Sequence, residues 1–465
     1  MDKRKVDVVI LGMATAGLNA YRAAKKADVS AVIVDKGPLG TTCARVGCMP
    51  SKVLISAADA YHHCYQAQEF GIELMGDVAI HGERVMKRVQ QMRDEFVAGV
   101  LRNIEVIPER EKLIGSARFL NPHTVCIDDH TQVEGKAIII ATGGETFIPP
   151  VLKPAEERLL TNEEIFELQT IPESLFVVGM GFIGMELGQA FSRLGTRIIL
   201  LDLIRVVSGL TDPALLEAAF NIFQRELKLH APAHIIAVEK VKDGLQITYE
   251  TENGQSQREI AQYILCATGR PPQIKGLNLE KTGLPLDNHG LPPFDPKTGQ
   301  CAKSHIFMAG DVTGEKQSLH EAIDEGKIAG TNAARYPDVT SFKRKTPLAV
   351  VYTDPQIAIF GKRFQDFGEQ GPAFVGTIDY EIQDRSRILN VNRGLGHLYV
   401  DKAGTLLGGE LIGPRVEHMG HLLAWCAQQG LTVNEMLDMP FYHPSFEEGI
   451  KDALVELQNE IALRG

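Results

Sequence analysis

Two stretches of the chain share one pattern: an unbroken apolar run, a glycine-punctuated turn, a helical repeat, and a second apolar run ending on aspartate. VDVVIL at 6–11 leads into GMATAG, a helix through Ala24, and then AVIVD, which ends at Asp35. LFVVGMGFIG from Leu175 repeats the arrangement, and RIILLD closes it at Asp202. Apolar strands joined by a helix are the mark of a buried parallel sheet. KAIIIATGG (136–144), YILCATGR (263–270) and HIFMAGDV (305–312) read as further strands. Between them, Val85, Val89, Met92, Phe96 and Val100 recur at helical spacing within 82–103, the core-facing stripe of an amphipathic helix. From Pro347 the character changes to AVVYTDPQIAIFG, GHLYVDKAGTLLGGELIG and a helical run over 416–429. The expected fold is α/β, with two Rossmann-like units followed by a smaller α+β domain. A length of 465 residues suits about three domains at ~150 residues each.

Glycine placement gives the two turns a chemical meaning. Gly179, Gly181 and Gly184 form an intact GxGxxG between strand and helix. Such glycines make the turn, admit a pyrophosphate and let helix pack on strand, while the helix N-terminus binds the phosphates. The first turn keeps Gly12 and Gly17 but has Ala14 in the middle position. Asp35 and Asp202 each follow their turn by about 20 residues, placed to bond a ribose hydroxyl. The charge of Asp202 repels a 2′-phosphate, so NAD is expected over NADP, with Arg205 the nearby cation that argues the other way.

Composition narrows the class. The chain is 44% hydrophobic and 23% charged, ordinary for a globular protein, and its net charge of −11 leaves no basic footprint for nucleic acid. No apolar run approaches the ~18 residues a membrane-spanning helix needs. MDKRK passes directly into the first strand, so no cleavable leader is expected. Of seven cysteines, Cys64, Cys126, Cys266, Cys301 and Cys426 have no close partner in sequence and read as reduced thiols, which suits a cytoplasmic location. His418 and His421 lack the cysteine or carboxylate partners a metal site requires, and no metal is expected.

Cys43 and Cys48 stand apart, in GTTCARVGCMPSK at 40–52. A loop this short closes as a disulfide only if its backbone leaves helix geometry. Pro50 suits a first helical turn, which puts both sulfurs near a helix N-terminus where the dipole favours thiolate. Two unrelated core cysteines would show the same spacing.

The segment resembles the redox-active stretch of the pyridine nucleotide-disulfide oxidoreductases, GGTCxxxGCxPSK, with only the second glycine changed, to Thr41. The resemblance extends over essentially the whole chain, and Ser51-Lys52 is closest to the dihydrolipoamide dehydrogenase branch. It implies a Cys43–Cys48 redox disulfide and an FAD site from Gly12, Gly17, Asp35, Lys52, Ala117, Thr142, Gly143, Asp311, Leu319 and His320. It also implies a NAD site from Gly179, Gly181, Gly184, Glu186, Asp202 and Gly269, with Glu186 pairing Lys52 beside the flavin. FYHPSFEEG matches the family's HPxxxE motif, making His443 the acid/base toward the substrate thiol and Glu448 its orienting carboxylate, ahead of Glu447. The implied domains are FAD-binding at 1–145 and 269–343, NAD-binding at 146–268, and interface at 344–465 in a homodimer with shared active sites.

The expected activity is oxidation of a small dithiol or lipoyl-domain dithiol by NAD through FAD. Glutathione reductase-like and mercuric reductase activities are the rivals, as is a non-enzymatic flavoprotein sensor or scaffold. Asp202 argues against the first, and the tail after Cys426, which holds no cysteine pair, against the second. The presence of both His443 and Glu448 argues against the third. Arg45 and Tyr442 depart from lipoamide-specific members and bear on substrate choice.

Overall fold

The computed structural model describes residues 2–464. The chain packs as two compact units, each assembled from three separate segments. One takes in the chain up to Pro50, Gln90–Phe147 and Gly269–Arg344; the other takes in Ser51–Val89, Ile148–Thr268 and the chain from Lys345 onward.

The first unit is built on a seven-stranded sheet. Asp2–Leu11 lies at its centre, parallel to Ala31–Asp35 on one side and Thr131–Ile140 on the other. Ile306–Met308 adds a parallel strand beside Thr131–Ile140. The apolar runs are continuous because both faces are covered. Val8, Ile10, Ile33, Ala137, Ile139 and Phe307 pack on one side, while Val9, Leu11, Val32, Val34, Ile138 and Ile140 pack on the other. Helices Thr15–Lys26 and Leu319–Arg335 lie against each other, since a Cβ at Gly326 or Gly330 would sit 2.3 Å from the carbonyl oxygen of Ala16 or Ala20. The strand expected over 136–144 ends at Ile140, because Ala141 to Gly144 turn out of the sheet.

The second unit holds a five-stranded parallel sheet, with Ser174–Val178 between Arg197–Leu201 and Tyr263–Cys266. A three-stranded antiparallel sheet, Ala233–Val241 to Ser256–Ala261, covers one face through Leu245, Ile247 and Tyr249. A separate five-stranded antiparallel sheet spans Leu348–Val351 to Leu406–Gly413. Helices Val416–Gln429 and Glu448–Arg464 pack on it around Phe360, Tyr380 and Leu454. In the amphipathic helix, Gly82–Glu105, the buried positions are Met86, Val89 and Ile104, so of the expected stripe Val89 is buried and Val85, Met92, Phe96 and Val100 are half-buried. Among the described residues no helix is long and apolar enough to cross a membrane.

Candidate active site

The two glycine-rich turns are built alike. Gly12 and Gly179 hold φ of +110° and +107°, and a Cβ on either would lie 2.1 or 2.3 Å from the carbonyl oxygen of Ala141 or Ala267. A Cβ on Gly17 or Gly184 would reach within 1.9 Å of the carbonyl of Gly12 or Gly179. Only glycine permits these approaches. In both turns the residue after the first glycine donates its N–H to the distal aspartate: Met13 to Asp35 Oδ2 at 2.6 Å, and Met180 to Asp202 Oδ2 at 2.7 Å. The other oxygens accept from Gly37 N at 2.7 Å and Ile204 N at 3.2 Å. Each aspartate therefore braces its turn as well as facing it.

The residues present fit dinucleotides. Helices Thr15–Lys26 and Phe182–Arg193 both start without a side-chain cap, so their first N–H groups are available to phosphate oxygens. Ala14, at φ −90° and ψ −165°, matches Gly181 at −73° and −169°, and a Cβ on Gly181 would meet nothing within 4 Å. A methyl group thus suits this turn geometry. Asp311 opens the turn Asp311–Thr313 with a half-buried carboxyl that no side chain hydrogen-bonds among the described residues. Burial raises its pKa against the opposing charge of Arg270. Such a carboxylate suits a hydroxyl donor, as a ribitol would supply. Arg205 is engaged elsewhere: its guanidinium bonds Glu217 at 2.6 Å and lies 4.1 Å over the Phe220 ring.

The remaining residues expected at the nucleotides are placed as follows. Thr142 Oγ1 donates to Gln273 O at 2.7 Å, and Gly143, at φ +77°, accepts from Gln273 N at 2.8 Å. Ala117 begins strand Ala117–Asn121 opposite Ile127. Leu319 and His320 are exposed in the first turn of their helix. Gly269, at φ +109°, accepts from Phe147 N at 3.1 Å.

The cysteine segment forms two helices where one start was expected. Thr42–Val46 carries half-buried Cys43, and Cys48, exposed, begins the helix Cys48–Gln66. Gly47 makes the break, and a Cβ there would stand 2.9 Å from Thr42 O and 3.1 Å from Cys43 Cα. Thr41 caps the short helix, accepting from Ala44 N at 3.2 Å, with φ 62° and ψ 145°, a combination natural to glycine. The stem of Arg45 packs on Gly40. Lys52 donates to Glu186 Oε2 at 2.6 Å, and Glu186 is only 5% exposed.

Toward the C-terminus, His443 Nδ1 lies 2.9 and 3.0 Å from the two oxygens of Glu448, the first residue of the last helix. The hydrogen bond from His443, aided by Ser445 N at 3.1 Å, holds the Glu448 carboxyl below its ordinary pKa. A carboxylate only accepts, so Nδ1 carries the hydrogen and Nε2 presents a lone pair. Glu447 does not bond the ring; it lines an apolar cavity of about 290 Å³ with Tyr442, Phe441 and Met439. Tyr442 is 83% exposed. His418 and His421 each contact Glu417, and no group of three or more His, Cys, Asp or Glu side chains able to hold a metal occurs among the described residues.

Three residues in this region were not singled out from the sequence. Tyr352 N donates to Glu186 across 166 residues, and Gln189 and Arg193 bond Asp354 across 165 and 161 residues. The 3- and 4-residue spacing of Glu186, Gln189 and Arg193 along one helix is the trace that would have linked them.

Residues 6–326 match the family described as pyridine nucleotide-disulphide oxidoreductase, and residues 348–454 match the dimerisation domain of that name. The chain is 29% identical over 467 residues to dihydrolipoamide dehydrogenase of Chaetomium thermophilum, covering 96% of this chain and 90% of that protein. Identity to dihydrolipoyl dehydrogenase of Geobacillus stearothermophilus is also 29%, over 455 residues, 96% of this chain and 94% of the relative. Among solved structures, the HOCl-induced flavoprotein disulfide reductase RclA of Escherichia coli superposes with a TM-score of 0.80 at 22% identity, covering 97% and 99% of the two chains. LpdA of Mycobacterium tuberculosis gives 0.82 at 22%, covering 98% and 100%. At that identity the structural likeness shows the fold.

Proposed function

Because the chain belongs to the pyridine nucleotide-disulphide oxidoreductase family, we propose that it oxidises a dihydrolipoyl dithiol with NAD, using FAD and the Cys43–Cys48 pair. The observation that carries this reading is the His443–Glu448 contact: a ring oriented through Nδ1 leaves Nε2 to exchange a proton with a thiol. The relatives' names supply the substrate class.

In the proposed mechanism, Nε2 of His443 takes the proton of one substrate thiol. The resulting thiolate attacks Cys43 Sγ, the Cys43–Cys48 disulfide breaks, and Cys48 leaves as thiolate. The second substrate thiol attacks the mixed disulfide, releasing the cyclic disulfide product and leaving both cysteines reduced. Bound FAD supplies the two-electron relay from this pair to NAD. Segments 1–145 and 269–343 hold the flavin through the Gly12 turn, Asp35 and Asp311, and 146–268 holds NAD through the Gly179 turn and Asp202. Lys52, fixed by Glu186, would supply a positive charge to the bound flavin. Residues 344–465 form a homodimer, in which His443 serves the cysteine pair of the partner.

One assay panel tests the proposal: dihydrolipoamide with NAD, against NADH or NADPH with lipoamide, glutathione disulfide and mercuric ion. Lipoamide turnover should dominate, with kcat/KM for NADH at least ~10-fold above NADPH, since a 2′-phosphate loses the Asp202 bond and meets its charge. Preference for another disulfide, or equal use of the two nucleotides, would refute the substrate or nucleotide assignment respectively. A colourless protein that takes up no FAD would refute the flavin reading.

A further inference from the structure

The Lys52–Glu186 pair is gripped by one residue at both ends. Lys52 Nζ lies 4.9 Å from the centroid of the Tyr352 ring. The backbone N–H of the same Tyr352 donates to Glu186 Oε1 at 2.9 Å, while Lys52 holds Oε2. The carboxylate is thus tied through both oxygens and cannot swing away from the lysine. A lysine ammonium is a compact charge on a flexible stem, and one carboxylate fixes only one of its three donors. The aromatic face supplies a second, electrostatically matched hold.

Tyr352 is itself held in register. Gln189, one turn beyond Glu186 in Phe182–Arg193, accepts from Asp354 N and donates to Asp354 O, both at 2.8 Å. Arg193, a further turn on, binds Asp354 Oδ2 at 2.8 Å. One helix face therefore reads Tyr352 to Asp354 in order, through three polar side chains at helical spacing. Tyr352 is only half-buried, so core packing alone does not account for an aromatic ring there.

We propose that Tyr352 is a positioning residue for Lys52: its ring holds the ammonium, and its amide aims the carboxylate. This rests on the reading above that Lys52 and Glu186 stand beside the flavin.

The test compares Tyr352→Phe and Tyr352→Leu in the wild-type and Lys52→Met backgrounds, each as purified holoenzyme. All variants keep the backbone amide, so leucine removes the ring alone. Tyr352→Phe should stay within about twofold of wild type in the rate of flavin reduction by NADH and by dithiol. Tyr352→Leu should slow it roughly three- to thirtyfold, the range of one cation–π contact. It should also shift the flavin reduction potential in the same direction as Lys52→Met, a change that loss of packing alone would not produce. In the Lys52→Met background, Tyr352→Leu should change nothing further. Wild-type rates in Tyr352→Leu, or effects that multiply with Lys52→Met, would overturn the proposal. If the wild-type protein bound no flavin, the functional reading would fail instead. The thermal midpoints of wild type, Tyr352→Leu, Lys52→Met and the double variant would then decide: non-additive shifts support the Lys52–Tyr352 contact, and additive shifts overturn it.

Discussion

Replacing Arg193 with methionine keeps most of the side-chain length and removes a charge that three carboxylates share. The Arg193 side chain is 3% exposed. Its guanidinium meets Glu226 Oε1 at 2.7 Å, Asp354 Oδ2 at 2.8 Å and Asp59 Oδ1 at 3.1 Å. Without it, Arg393, at 3.4 Å from Asp354, is the one cation left paired to these carboxylates among the described residues. Breaking a buried pair costs about 3–5 kcal/mol, and the partial exposure of Asp59 and Asp354 (40% and 38%) puts this case at the lower end, about 3 kcal/mol. That corresponds to a fall in Tm of about 5 °C for a unit of this size.

The pH dependence gives a second handle on Arg193. Burial raises the Asp354 carboxyl, and the charges of Arg193 and Arg393 more than reverse this, leaving its pKa below the ordinary value. Its stabilising contribution is therefore present at neutral pH and lost as pH falls through that lowered value. Burial also raises Asp59, which Arg193 offsets only in part, so Asp59 contributes in the opposite sense. Removing Arg193 leaves burial less opposed at both sites and raises both pKa values. The variant then binds protons on folding and regains stability as pH falls from 7. Scanning calorimetry from pH 8 to pH 5 should show a gap to wild type that is widest at the alkaline end and closes on acidification. A gap under about 1 °C at pH 8, or one that widens toward pH 5, would refute the account.

Two further predictions follow from the cysteine segment. Thr41→Gly should raise unfolding stability by about 1 kcal/mol in urea: relief of the φ 62°, ψ 145° strain (about 1–3 kcal/mol) exceeds the lost cap and the added freedom of glycine. An unchanged or lower midpoint would show that Thr41 is not strained. Cys43→Ser and His443→Gln proteins, each nearly inactive, should recover activity when unfolded together and reassembled, because a mixed dimer holds one site with both native residues. Mixed dimers confirmed by mass but inactive would place His443 in its own chain's site.

Much of the architecture and many of the candidate residues were legible because their signals are local. Strand, turn and helix of each nucleotide unit fall within about 30 residues, and the glycines at 17 and 184 are demanded by contacts inside that span, whereas those at 12 and 179 also answer to the distant Ala141 and Ala267. His443 and Glu448 are five residues apart, and the intervening turn alone brings them to 2.9 Å. Some local detail still escaped. The second helix start at Cys48 and the early strand end at Ile140 depend on how Gly47 and Ala141 to Gly144 leave regular structure, which periodicity does not register. Beyond the local scale, only tertiary structure decided what holds the site. Glu186 meets Tyr352 across 166 residues, and Arg193 gathers carboxylates from positions 59, 226 and 354. No propensity encodes such contacts. They exist because folding buries charged groups that must find partners where the backbone has already placed them, and burial is a property of the packed chain rather than of any segment.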